Sequence, residues 1–412
     1  MSSQLEKTVL NEWHKSNGAK MVDFGGWEMP VNYKTGALEE HLITRTKAGL
    51  FDISHMGRFL FGGDDALPLL QKILTTNVAS IKEGEAHYAF LSDENGFAID
   101  DSYLYNIGRG QHMLVVNAGN RQKAWDWIQD NKAGYDVKIR DASKEMGMFS
   151  LQGPFSEMLL EKISSSSSSL PEAKKNKLSE VIIDGKKVIL SRTGYTGEAI
   201  GFELFTDTDN APKLWERILE AGKEYGVAPI GLAARDSLRI EAGFPLGGHE
   251  LGDDINKNPI PLFANKVARV GVSDAPEKGD YIGKAALSIQ RAESDAIYRR
   301  EPLPTNAQIQ RIIQPIAAFD STRPMRHGYK VMHQGKEVGY VSSGTTVPYI
   351  KMQGEGLHAL PGKEKGNRSI GLAFIDANLL PKKDQPIPIT IVDDRGREMI
   401  ASIVDTNMHA IA

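Results

Sequence analysis

Tyr88-Ala-Phe-Leu-Ser-Asp-Glu-Asn-Gly-Phe-Ala-Ile-Asp-Asp-Ser-Tyr-Leu-Tyr105 is the stretch around which the rest of the chain is organised. Asn95-Gly96 lies between two apolar, aromatic-rich runs, and both residues tolerate the positive φ of a tight type I′ turn. The pattern predicts a hairpin with strands Tyr88–Asp93 and Phe97–Tyr105. Asp100 and Asp101 then fall inside a strand, where Asp is disfavoured. Side chains alternate along a strand, so the two carboxylates are expected on opposite faces. A two-residue loop would set Asp100 across from Leu91 and Asp101 across from Phe90. A carboxylate turned inward is costly unless it is paired or used. The alternative is a polar strand edge with both groups wet.

The chain around this stretch has 412 residues, too many for one ordinary core. With 41% hydrophobic and 25% charged residues it has the composition of a globular protein. A formal net charge of −4 argues against general nucleic-acid binding, which needs a basic surface. The absence of cysteine excludes disulfides, thiol nucleophiles and Cys-ligated metal sites. No pair among the 10 histidines has a metal-ligand spacing, and His249-Glu250 lacks a second His, so no metal is expected. No secretory signal opens the chain, and no apolar run approaches the ~20 residues that span a membrane. A cytoplasmic protein is expected, or a mitochondrial matrix protein without its transit peptide.

Upstream, Leu5, Val9, Leu10 and Trp13 have helical spacing, and Ala37–Lys47 reads as a helix with Gly49 as its cap. Gly49–Gly57 alternates like a strand; His55 within it is expected to be a hydrogen-bonded structural histidine. Asp64 or Asp65 should cap the helix that follows. Asn117 ends a buried strand, a position for a binding residue or for a plain turn former. The six serines Ser164–Ser169 read as a polar, low-complexity insertion without fixed structure. An Asp184-Gly185 turn joins two short strands. In the predicted helix Gly231–Ala242, Arg235 is either a contact for an anion or a solvated helix residue. Short strands recur from Ile316–Phe319 onward, which predicts an all-β barrel or sandwich at the C-terminal end.

Several segments match one family in order. They are Met21-Val-Asp-Phe-Gly-Gly-Trp-Glu-Met-Pro30, Arg45–Met56, Gly96-Phe-Ala-Ile-Asp-Asp101, Val115-Val-Asn-Ala118, Leu151-Gln-Gly-Pro154, Gly194-Tyr-Thr-Gly-Glu198, Gly231–Arg239, Tyr281–Leu287, Gly339–Gly344 and Ile370-Gly-Leu-Ala373. With them the chain resembles the T-protein, or aminomethyltransferase, family of the glycine cleavage system. The resemblance implies an α+β fold, a three-domain cloverleaf around a folate pocket with a C-terminal β-barrel. Its domains would be 1–57 with 147–245, 58–146 with 246–300, and 301–412. It implies tetrahydrofolate as co-substrate and the lipoyl carrier (H-protein) as partner, with no nucleic acid and no membrane. It places Asp100 beside the reactive nitrogen as the catalytic carboxylate. Glu203 and Arg235 would bind the pterin and glutamate parts, and Asn117, Tyr88, Tyr195 and Met56 would complete the folate site.

These residue types suit the chemistry. A carboxylate accepts paired hydrogen bonds from an amino-pyrimidine edge, and arginine suits an anionic tail. A carboxylate beside the attacking nitrogen can stabilise an iminium charge or take a proton. The chain departs from the family in an extra residue between Glu198 and Gly201, in Gly247, in Gly252 and in Met408. These departures leave room for a folate-dependent demethylase. A non-catalytic assembly factor is disfavoured by the Asp-Asp pair and the lack of cysteine.

Overall fold

Apolar runs such as Phe149, Leu151 and Leu204 alternate with residues of the opposite face, and they build a six-stranded sheet. Its order is Leu178–Ile183, Lys186–Ser191, Gly201–Asp207, Met146–Gln152, Gly49–Asp52 and Ala228–Ile230. All neighbours are antiparallel except the last two strands, where Ala228 pairs with Gly49 in parallel. The helix Ala211–Gly222 lays Leu214, Trp215 and Ile218 on the sheet, and Gly226, at φ 69°, stops the turn that follows it. Trp215 meets Phe149 edge to face at 5.2 Å. Each such fully buried large side chain contributes about 1.5–3 kcal/mol.

A second, five-stranded sheet runs Glu85–Ser92, Ala98–Gly108, Gln111–Val116, Gly57–Gly62 and Lys138–Asp141. Helices Ala66–Ile73 and Arg121–Asn131 cover it through Leu69, Leu70, Ala124 and Ile128. The computed structural model describes residues 4–318, 321–353, 360–383 and 385–406. Phe319, expected to end a strand, and Met408 lie outside them.

The chain divides into two compact units. One comprises Met1–Ser92, Ile99–Arg235 and Gly271–Ile282 and holds both sheets. The other comprises Asp93–Ala98, Asp236–Val270 and Gly283–Ala412. In it six antiparallel strands close a barrel in the order Arg311–Ala318, Leu360–Asp376, Lys336–Gln353, Lys330–His333, Ile387–Val392 and Glu398–Ile403. Ile316, Val331, Ile375 and Ile391 fill its core. The fold is therefore α+β with a C-terminal all-β barrel, as expected. Among the described residues no helix is long and apolar enough to cross a membrane.

Several local expectations are corrected. The Asn95-Gly96 turn is not type I′: only Gly96 has positive φ, and Asp93 N–H reaches Phe97 O across a three-residue loop. The Asp93 carboxylate accepts from the N–H groups of Asn95 and Phe97, which favours the longer loop. The count that set Asp100 across from Leu91 thus does not apply. Asp184-Gly185 is among the turns that do have two positive φ angles, with Arg109-Gly110 and Gln334-Gly335. The first helix is only Asn11–Ser16, and Gly49 lies in a strand. Asp65 stands at the helix start but accepts from Asp136 N–H instead of capping. The serine run is ordered: Ser165 N–H donates to Ile182 O, and the Ser168 hydroxyl accepts from Ile182 N–H.

Candidate active site

Two adjacent strands position the carboxylates. Ser102 pairs with Val116, so the end of Gln111–Val116 brings Asn117 beside the aspartates of Ala98–Gly108. Asp100 is 2% exposed. Its Oδ2 accepts the Asn117 backbone N–H at 2.8 Å, and its Oδ1 accepts the side-chain amides of Asn117 at 3.0 Å and Asn120 at 2.7 Å. The same Asn117 Nδ2 lies 2.8 Å from Asp101 Oδ1. The carboxylates therefore converge on one amide at the end of the neighbouring strand.

Asp101 is half-buried and accepts the Tyr88 phenol on Oδ2 at 3.0 Å. Burial pushes both carboxyls above the usual range, and the charge of Asp101 raises Asp100 further. The Tyr88 and Asn117 hydrogen bonds and the charge of Arg235 counter the rise at Asp101. Two carboxyls so placed favour sharing one proton. Burial and the neighbouring Asp101 hold the Tyr88 phenol well above its ordinary value, so it stays a donor.

Arg235 projects from the helix Leu232–Glu241, where Gly231 packs so close to Val31 that a side chain there would clash. Its guanidinium carbon lies 4.8 Å from the centre of the Tyr195 ring. Arg235 is thus held by an aromatic face and acts electrostatically on Asp101, more than a solvated helix residue would. Glu203 lies in Gly201–Asp207, opposite Ser150 and Ser191. Its Oε2 accepts the Tyr105 phenol at 2.6 Å and the Thr193 hydroxyl. A row of rings links the two carboxylate sites: Tyr105 to Tyr103 at 5.6 Å and Tyr103 to Tyr88 at 6.0 Å.

Met56 sits in the turn after Gly49–Asp52, where the buried Arg58 guanidinium grips the carbonyls of Ser54 and Met56. His55 beside it is 2% exposed, and its Nδ1 has no partner among the described residues. This corrects the expected hydrogen-bonded histidine. Burial, reinforced by the charge of Arg235, pushes His55 down to about 3, so the ring is neutral.

The structure thus joins Asp100, Asp101, Asn117 and Tyr88 in one cluster. It brings the Arg235–Tyr195 pair electrostatically to bear on that cluster, and it links Glu203 to it through the tyrosines. Among the described residues no hydrogen bond or ring contact joins the Met56 side chain to the others. Asn120, Tyr105 and Thr193 escaped the sequence reading, because a hydrogen bond between segments distant in sequence leaves no local pattern. Among the described residues no group of three His, Asp or Glu side chains could hold a metal. Glu250, of the His249-Glu250 pair, is instead buried against Arg239 at 2.9 Å and the Ser342 hydroxyl at 2.6 Å.

The model of the GCVT N-terminal domain family matches residues 10–262. An aminomethyltransferase of Geobacillus sp. (strain WCH70) is 38% identical over 403 residues, 98% of each chain. One from Desulfitobacterium hafniense (strain DSM 10664 / DCB-2) is 40% identical over 348 residues, 84% of this chain and 88% of its own. The crystal structure of glycine cleavage system aminomethyltransferase T from Bartonella henselae superposes with a TM-score of 0.76 at 27% identity, covering 98% of both chains.

Proposed function

The chain belongs to the aminomethyltransferase family, the T-proteins of the glycine cleavage system, and from that premise we propose that its site moves a methylene group from a lipoyl arm to tetrahydrofolate. The enzyme is a transferase. Its donor is an aminomethyl group in thioether linkage on the lipoyl carrier protein. The C–N bond breaks and ammonia leaves; the folate nitrogens bond to the methylene; the C–S bond breaks and returns the lipoyl thiol. The three-part division at 1–57 with 147–245, 58–146 with 246–300, and 301–412 belongs to the same proposal, as does a cytoplasmic location.

The observation that carries the reading is the aspartate pair under one amide, with Tyr88 and the charge of Arg235 beside it. Asp100, the residue selected by resemblance, supplies charge from inside the fold, and Asp101 offers the half-buried oxygen. Together they stabilise the positive charge of the transferring methylene, held by sulfur as ammonia departs and as an iminium on the folate nitrogen as the thiol leaves. The Tyr88 phenol favours the ionised form of Asp101 against its burial and aims it. Arg235 takes the anionic tail of folate, and Glu203, with one oxygen fixed by Tyr105 and Thr193, accepts from the pterin. Tyr195, Asn117 and Met56 complete the folate walls.

The relatives are aminomethyltransferases, so neither the demethylase nor the assembly-factor reading is favoured. Gly252 has its own reason in the backbone: its φ of 123° suits glycine and strains an acidic residue. The test is an assay with aminomethylated lipoyl carrier protein and tetrahydrofolate. Methylene-tetrahydrofolate and ammonia should appear together in equal amounts. Turnover of a different methyl donor with none of this one would overturn the reading.

A further inference from the structure

We propose that Gln152 is a positioning residue that sets Tyr195 against Arg235, so that its amide controls the affinity of the folate site. The inference rests on the reading of Tyr195 and Arg235 as folate contacts. Tyr195 lies in the glycine-rich segment between Thr193 and Phe202, which leaves one strand of the six-stranded sheet and returns as the next. Such a segment has little regular structure of its own, yet its tyrosine must stay flat under a guanidinium 4.8 Å away.

Gln152 ends the strand Met146–Gln152 and pairs with Gly201. It is 1% exposed. Its Nε2 donates to Thr193 O at 3.1 Å, before the tyrosine, and lies 3.4 Å from Phe202 O, where the strand resumes. Its Oε1 accepts the hydroxyl of Thr196, the residue after Tyr195, at 2.9 Å. One amide thus ties both ends of the loop and its middle. Glycines flank it on both sides: a Cβ built on Gly194 or on Gly201 would overlap the Gln152 amide. Neither glycine has positive φ, so the amide, not the backbone angle, accounts for glycine at both places. A second tie comes from Gly153, whose N–H donates to Ile200 O at 2.9 Å.

A buried amide with these partners has no access to a ligand. It acts through the ring it holds in register, and a loosened ring no longer meets the Arg235 guanidinium in that arrangement. Binding should therefore suffer while the chemistry of bound substrate stays intact.

The experiment measures tetrahydrofolate affinity by calorimetry, together with kcat and melting, for Gln152→Met, Thr196→Val, Tyr195→Ala and the Gln152→Met/Tyr195→Ala double variant. Gln152→Met keeps the length and removes the amide. It should raise Kd about tenfold and leave kcat at saturating folate within about twofold. Thr196→Val, a milder cut of the same tie, should raise Kd about threefold. In the Tyr195→Ala background the effect of Gln152→Met should shrink to under about twofold, because both changes remove one arrangement. The proposal is overturned if the full tenfold loss persists without Tyr195, or if Gln152→Met and Thr196→Val lower melting with Kd unchanged. Arg235→Ala, measured alongside, separates the two levels. If it leaves Kd unchanged, the folate-site reading fails. If it weakens binding while both loop variants do not, the positioning role of Gln152 fails.

Discussion

Asp101→Asn removes one negative charge and keeps the side-chain shape. The native carboxylate takes the Asn117 amide on Oδ1 and the Tyr88 phenol on Oδ2. An asparagine can keep its oxygen toward Asn117 and turn its NH2 to the phenol oxygen, so stability should change by less than about 1 kcal/mol. A positive charge developing about 5 Å from the carboxylate, at an effective dielectric of about 20, gains about 3 kcal/mol. Losing that should lower kcat by about 10²-fold, with folate affinity changed much less. Asp100→Asn differs. Both Asp100 oxygens already face donors, two side-chain amides on Oδ1 and a backbone N–H on Oδ2. Wherever its NH2 goes, a donor meets a donor in a buried site, at a cost of about 1–3 kcal/mol of stability. That variant should melt lower and, by loosening Asn117, also turn over more slowly. The assay is methylene-tetrahydrofolate formation at saturating substrates, with urea denaturation of the same preparations. The reasoning is refuted if Asp101→Asn keeps kcat within about threefold while Asp100→Asn loses about 10²-fold at full stability. The working charge would then belong to Asp100 alone.

Arg235→Ala should weaken tetrahydrofolate binding strongly, yet lower the stability of the free enzyme by no more than about 1–2 kcal/mol, the worth of its stacking on Tyr195. A larger loss in urea denaturation would make the arginine structural. Gly252→Glu should cost about 1–3 kcal/mol of stability, because a side chain is forced to a φ of 123°; an unchanged denaturation midpoint would show that the loop relaxes freely. Burial raises the Asp100 and Asp101 carboxyls in the folded enzyme, so it holds their protons more firmly than the unfolded chain. Their contribution to stability is full below about pH 4 and is lost as pH rises toward neutrality. Urea midpoints measured across that window should therefore move in favour of Asp101→Asn, relative to the native enzyme, as pH increases; parallel curves would show that the pair is not strained by its charge.

The elements with strong local patterns were legible in the sequence. The strand runs around Met146–Gln152 and Lys186–Ser191, the helix with Leu214, Trp215 and Ile218, and the short strands of the barrel follow from periodicity, whereas Lys336–Gln353 and Leu360–Asp376 extend far beyond the short strands expected at Glu337–Ser342 and Ser369–Ile375. Asn95-Gly96 marked a hairpin correctly and its turn type wrongly, because the Asp93 side chain selects the three-residue loop. The serine run looked unstructured by composition, but the free edge of Leu178–Ile183 supplies backbone partners for it. In the site, residue types were readable and directions were not. The convergence of Asp100 and Asp101 depends on Asn117, one strand away, and the neutrality of His55 on its burial, reinforced by an arginine far along the chain. Gln152 stood within a quoted Leu-Gln-Gly-Pro segment, yet nothing local says that its amide threads between two glycines.

The parallel pairing of Gly49 with Ala228 has a consequence for how the molecule is made. On a ribosome, the strand Gly49–Asp52 emerges long before its outer neighbour, and its other neighbour, Met146–Gln152, also comes late. At about 5–20 residues per second, the wait for Ala228 is on the order of ten to forty seconds. The five-stranded sheet lies wholly between Gly57 and Asp141, so it can close first, while its host is half synthesised. The nascent chain then carries an open apolar edge at Leu50 and Phe51 through that interval. Long-range closure of this kind is slow even in the finished chain. Refolding from denaturant should therefore be more prone to aggregation than synthesis, where the order of emergence lets the inserted sheet form before its host is complete.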